Sequence, residues 1–99
     1  AYEVEHVIME HPAVEDVAVY AVPSEMSEDE IMAAVKLVAG HNLTGSELRD
    51  FLSHRLAKYA VPRYVRFVQE FPKTTSHRII KRELEAEGVP ADTYDAIKE

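Results

Sequence analysis

Lys73, Thr74, Thr75, Ser76 and Arg78 stand within one short run, Lys-Thr-Thr-Ser-His-Arg, in which two cations bracket three hydroxyls and His77 sits among them. Hydroxyls donate to phosphate or carboxylate oxygens, a guanidinium can bind two such oxygens at once, and an ammonium adds a point charge. The set suits an anion with several oxygens. Pro72 stops any strand before the run, because it has no N–H for a ladder bond. From Lys73 to Arg78 no apolar side chain is present to anchor the segment inside, so the loop is expected at the surface. A helix start near Ile79 would bring further oriented N–H groups to the same place. A basic surface loop with no ligand is the plainer alternative.

The charge around that loop is unevenly placed. The chain of 99 residues has a net charge of −7, yet eight of its eleven Lys and Arg residues lie between Arg55 and Arg82 with one acid, Glu70, a balance of +7. The stretch before is −9 and the stretch after is −5. An acidic total argues against general nucleic-acid binding, which rests on neutralising phosphates, while a confined basic belt suits a compact anion such as a nucleotide or CoA phosphate. Pairing of the belt with acids of the flanking segments is the competing reading. With 46% hydrophobic residues the length supports one domain, 1–99, with one modest core. The absence of cysteine removes disulfides and thiolate metal sites and makes a cytoplasmic setting the expectation. His6 and His11 are too isolated to form a metal site. Apolar runs are broken by Lys36 or by acids well short of a bilayer span, and no basic-then-apolar leader opens the chain, so a soluble protein without a membrane span is expected.

The elements that position the loop follow from periodicity. Val4, Val7 and Ile8 mark an amphipathic helix over residues 1–10 that stops at His11-Pro12. Residues 16–22 are apolar on both faces, Val17, Val19 and Ala21 on one and Ala18, Tyr20 and Val22 on the other, which suits a strand in the middle of a sheet. Residues 24–30 form an acidic connection. A second strand over residues 31–39 carries Ile31, Ala33, Val35 and Leu37 on one face and Lys36 on the other, and is expected antiparallel to the first. Gly40 turns the chain. Thr44-Gly45-Ser46-Glu47 is a capping box with Leu43 and Leu48 as its staple, opening a helix whose stripe Leu48, Phe51, Leu52, Leu56 and Tyr59 runs to about Lys58. Residues 63–68 form a third strand. Ile79, Ile80 and Leu84 give a short amphipathic pattern after the loop, ended by Gly88 and Pro90. Beyond Pro90 only Tyr94 and Ile97 offer anchors, and the tail is expected to fray. The fold class is α+β, a three-stranded, mainly antiparallel sheet packed with about three helices.

Pro72-Lys73-Thr74-x-Ser76-x-Arg78-Ile79-x-Lys81-x-x-Leu84 resembles the last core motif of the adenylate-forming enzymes, the superfamily of acyl-CoA synthetases, peptide-synthetase adenylation domains and luciferases. Glu3-Val4-Glu5, His11-Pro12-x-Val14, the strand Val17 to Pro23 and the segment Leu56-Ala57-x-Tyr59-x-Val61-Pro62-Arg63-Tyr64-Val65-x-Phe67-Val68 follow in the family's order and spacing. The likeness covers almost all of the chain and corresponds to that family's small C-terminal domain alone. Within the family, Glu3-Val4-Glu5 together with Gly88-Val89-Pro90-x-Asp92-Thr93-Tyr94 is similar to carnitine or crotonobetaine-type CoA ligases.

The resemblance implies a large N-terminal adenylation domain in the same polypeptide that binds ATP with Mg2+ and a carboxylic acid, and a small domain that swings between two poses. In one pose a lysine of the terminal motif stabilises formation of the acyl-adenylate; in the other a different face completes the path by which CoA attacks. None of these ligands is expected to bind the small domain alone, and the isolated domain is expected to be inactive. This chain departs from the family pattern at two positions, with His77 where the family has Gly and Arg78 where it has Lys. By resemblance the catalytic group is Arg78, with Lys73, Thr74, Ser76 and His77 as the phosphate-facing loop. Lys73 or Lys81 as a substitute cation, a degenerate synthetase that has lost adenylation, and a free-standing regulatory domain gripping an acidic partner are the alternatives. Acylation, which silences a lysine, has no target at Arg78.

Overall fold

The computed structural model describes residues 2–23 and 29–97; residues 24–28 of the expected acidic connection lie outside the described residues. Among the described residues, helices α1 (Tyr2–Met9), α2 (Gly45–Ser53) and α3 (Lys81–Ala86) surround a sheet of β1 (Val14–Pro23), β2 (Asp29–Leu37), β3 (Tyr64–Phe67) and β4 (Tyr94–Asp95). The strands lie in the order β1-β2-β3-β4. β1 and β2 pair antiparallel, as do β3 and β4, while β2 and β3 are parallel. Parallel neighbours need a long crossover, and α2 supplies it.

The α+β class stands, with one strand more than the sequence suggested. β4 escapes pattern reading because it has only two residues, pairing Tyr94 with Val65 and Asp95 with Tyr64. Its anchorage is the buried Arg63, 5% exposed, whose Nε and Nη2 donate to the two Asp95 carboxylate oxygens at 3.0 and 3.1 Å. Tyr94 is held as well, because Gly45 leaves room for it: a Cβ at position 45 would sit 2.4 Å from Tyr94 Cγ. The expected fraying of the tail therefore does not extend to residues 94–95.

Two cores explain the two-faced strands. On one side of the sheet Val17, Val19, Ala33, Val35 and Val65 pack with Val4 and Ile8 of α1 and with Leu48 and Leu52 of α2. On the other, Ala18, Tyr20, Val22, Met32, Ala34 and Tyr64 pack with Phe71 and Leu84. Strand β1 is buried on both faces from Val17 to Tyr20 and again at Val22, with Glu15, Ala21 and Pro23 exposed, but lies at the sheet edge, correcting the expected central position. Burial on both faces reports helices above and below, not a strand on each side.

Helix α2 begins as expected. Glu47 N–H donates to Thr44 Oγ1 at 3.0 Å, and Thr44 N–H donates to Glu47 Oε1 at 2.9 Å. It ends earlier than the stripe suggested, at Ser53, and a 3-10 turn over Lys58–Ala60 leads to Val61, held extended before Pro62. Leu56 stays buried, but Tyr59 points outward and is 88% exposed.

Candidate functional site

The run 72–80 is held between two anchors in one core, Phe71 before it and Leu84 after it. Lys73 and Ile79 form an antiparallel bridge, and Ile80 N–H donates to the Pro72 carbonyl at 2.8 Å. Inside that bridge Thr74 N–H donates to the Arg78 carbonyl and His77 N–H to the Thr74 carbonyl, both at 2.9 Å. This is the bonding of a three-residue hairpin loop, a reverse turn followed by one residue in the left-handed region. His77 is that residue, with φ 65°, and no other non-glycine among the described residues has positive φ. The site is therefore a small hairpin, and the following helix starts only at Lys81, so the helix N-terminus expected near Ile79 does not reach the loop tip.

The hydroxyls expected to face an anion are used within the hairpin. Thr74 Oγ1 accepts the Arg78 N–H at 3.2 Å and lies 3.0 Å from Ser76 Oγ. These contacts join the two ends of the turn. Thr75 is exposed at the tip.

The flanking lysines are engaged too. Lys73 Nζ lies 3.3 Å from Asp16 Oδ2, and Lys81 Nζ lies 2.7 Å from Glu5 Oε2. The same two acids accept backbone N–H groups of β1, Asp16 that of Val17 at 2.9 Å and Glu5 that of Val19 at 2.8 Å. One acid from the strand and one from α1 thus staple both ends of the hairpin to β1. Sequence reasoning missed Glu5 and Asp16, since nothing local marks an acid whose partner lies a whole domain away. With both lysines paired, Arg78 is exposed and makes no side-chain ion pair or hydrogen bond among the described residues.

The same pairing thins the rest of the belt. Arg63 binds Asp95, and Arg66 lies 2.8 Å from Glu87 and against the Tyr20 hydroxyl. Burial pushes the Tyr20 hydroxyl above its ordinary value of 10.0, with Arg66 pulling the other way. Arg55 covers the Phe51 ring at 3.7 Å. Internal pairing with flanking acids thus accounts for half of the belt, Arg63, Arg66, Lys73 and Lys81.

Comparison with known proteins agrees with this architecture. The chain is 37% identical over 83 residues to a crotonobetaine/carnitine–CoA ligase of Proteus mirabilis (strain HI4320), a match spanning 84% of this chain and 16% of that protein. It is 39% identical over 88 residues to the medium/long-chain-fatty-acid–CoA ligase FadD17 of Mycobacterium tuberculosis (strain ATCC 25618 / H37Rv), spanning 87% of this chain and 18% of the relative. Among solved structures it superposes on an acyl-CoA synthetase of Brucella canis with a TM-score of 0.80 and 34% identity, over 87% of this chain and 16% of that one. The chain thus spans less than a fifth of these relatives. Residues 3–78, from α1 through the hairpin to Arg78, match the family model described as the AMP-binding enzyme C-terminal domain, and the chain belongs to that family.

Proposed function

We propose that this domain is the mobile lid of an ATP-dependent acyl-CoA synthetase, working with an N-terminal adenylation domain of the same polypeptide in the cytoplasm. The reaction joins a carboxylic acid to CoA through an acyl-adenylate, with ATP and Mg2+ held by the large domain. Arg78 is the group that the lid delivers. Attack of a carboxylate on the α-phosphate brings two anions together, and a cation placed beside them offsets their repulsion as charge redistributes in the transition state. Closure of the lid excludes water from a hydrolysable intermediate, and a second pose presents another face of the domain for attack by CoA.

The observation that carries this reading is the division of labour in the hairpin. Lys73 and Lys81 are tied to Asp16 and Glu5, Thr74 and Ser76 shape the turn, and Arg78 is left exposed and unpaired among the described residues. The staples fix the backbone that carries the cation, so only the Arg78 side chain is left to order when the lid docks. The pairing also argues against Lys73 or Lys81 as the working cation, and against a belt free to grip an acidic partner. His77 keeps the left-handed turn that a glycine adopts readily, which favours a working loop over a relic. Acyl choice is assigned to the large domain, because relatives named for crotonobetaine or carnitine, for fatty acids and for malonate match this chain almost equally, at 37%, 39% and 38% identity.

The test is pyrophosphate exchange by the full-length protein across a panel of carboxylic acids, comparing wild type with Arg78→Ala and Arg78→Lys. Loss of exchange in Arg78→Ala with retention in Arg78→Lys supports the reading. Unchanged exchange in Arg78→Ala contradicts it.

A further inference from the structure

Four of the five histidines have a polar side-chain contact. His6 lies 3.9 Å from Glu10, His11 Nδ1 accepts the Ala13 N–H at 3.0 Å, and His41 and His54 face the Ala39 and Asp50 carbonyls at 3.4 and 2.8 Å. His77 differs from them. It is exposed at the hairpin tip, and its imidazole makes no hydrogen bond or ion pair among the described residues. Its backbone, by contrast, is fixed: the Thr74 carbonyl accepts its N–H, Thr74 bonds both the N–H and the carbonyl of the next residue, Arg78, and φ stands at 65°. A left-handed position suits glycine best, so a side chain kept there against that preference points to a use for the side chain. Consecutive Cα atoms lie about 3.8 Å apart, so the imidazole and the Arg78 guanidinium arrive together wherever the tip docks.

We propose that His77 puts acid activation under proton control. The inference rests on the reading of Arg78 as the cation that the lid delivers. Protonated, the ring is a second cation beside Arg78 and donates a charge-assisted hydrogen bond to a phosphate oxygen of the bound nucleotide; uncharged, it offers a neutral donor at most. It transfers no hydrogen. The carboxylate oxygen forms its bond to the α-phosphorus as the bond to the departing diphosphate breaks, and the ring only offsets the charge gathered there. The charged groups around the hairpin come from four places: Lys73 and Arg78 on the hairpin itself, Lys81 of α3 paired with Glu5 of α1, and Asp16 of β1 paired with Lys73. Both acids are already engaged by a lysine and by a backbone N–H, and neither pairs with the imidazole. A histidine changes charge across the neutral range whereas a guanidinium stays charged, so the tip carries one constant charge and one variable one.

The experiment is pyrophosphate exchange by the full-length protein at saturating ATP and carboxylic acid, from about pH 5.5 to about pH 8, in wild type, His77→Asn, His77→Gly and Arg78→Ala. Asparagine and glycine both accept the left-handed backbone and carry no charge, so the ratio of wild type to either variant cancels the titration of every other group. Against both variants that ratio should be about fivefold higher at the acid end than at the alkaline end, the size of one exposed charge contact. A histidine that merely shapes the turn would give a ratio that does not move with pH. With exchange lost in Arg78→Ala, a constant ratio, or one that rises toward alkaline pH, would overturn proton control and leave the lid reading standing. Unchanged exchange in Arg78→Ala would overturn the lid reading, and this inference with it.

Discussion

Replacing His77 by glycine isolates the cost of the hairpin's geometry. His77 holds φ at 65°, where its Cβ crowds the following carbonyl. That conformation costs an L-residue about 1–2 kcal/mol, somewhat less for His than for a β-branched residue. Glycine removes the crowding but gives back roughly 0.5–1 kcal/mol through the greater freedom of its unfolded chain. The net expectation is a gain of about 0.5–1 kcal/mol, or a rise of roughly 2–8 °C in Tm for a domain of this size. Thermal and urea unfolding of wild type, His77→Gly and His77→Ala separate the backbone from the imidazole, because alanine keeps the Cβ and loses the ring. His77→Gly should be the most stable of the three, with His77→Ala at or below wild type. Equal melting of all three, or a gain shared by His77→Ala, would show that the left-handed backbone carries no cost.

Three further outcomes are expected. Gly45→Ala sets a Cβ 2.4 to 2.8 Å from three Tyr94 atoms, Cβ among them, and should destabilise by about 1–3 kcal/mol in urea unfolding; in a Tyr94→Gly background, which lacks all three atoms, most of that penalty should vanish. Asp95→Ala removes both carboxylate contacts of a 5% exposed Arg63 and should cost about 3 kcal/mol, with amide exchange at residues 94–96 accelerating most. Alkaline pH should destabilise the fold. Burial raises the Tyr20 pKa above 10.0, and the Glu15 contact, the largest of several carboxylate interactions, raises that of Lys36 above 10.5. Both groups favour the folded state below those values, and that contribution is lost as pH rises through the higher folded values. Urea midpoints should therefore hold up to about pH 10 and fall above it, less steeply in Tyr20→Phe.

What could be read from the sequence was whatever short-range chemistry determines. Thr44 and Glu47 form both bonds of the capping box, Leu48 and Leu52 point into the core, and Val17, Ala18, Val19 and Tyr20 are buried on both faces of β1. The hairpin's exposure followed from its lack of apolar residues. What could not be read depends on partners distant in the chain. β4 exists because Arg63 and Gly45 receive Asp95 and Tyr94, and a two-residue strand has no periodicity of its own. The edge position of β1 depends on which strand pairs with β3. Tyr59 fell out of its stripe because the extended backbone at Val61, before Pro62, replaced the last helical turns with a 3-10 turn. Within the site, residue types indicated an anion-facing loop, but which groups are free depends on Glu5 and Asp16. Those acids turn two of the expected cations into staples.

The central claim is that one exposed guanidinium, presented on a hairpin stapled to β1, performs the electrostatic work of acid activation. The most direct measurement is pyrophosphate exchange by the full-length protein carrying Arg78→Ala beside the double variant Lys73→Ala/Lys81→Ala. Exchange should collapse in the first and persist, weakened by a looser hairpin, in the second. Collapse in the lysine variant with normal exchange in Arg78→Ala would contradict the account.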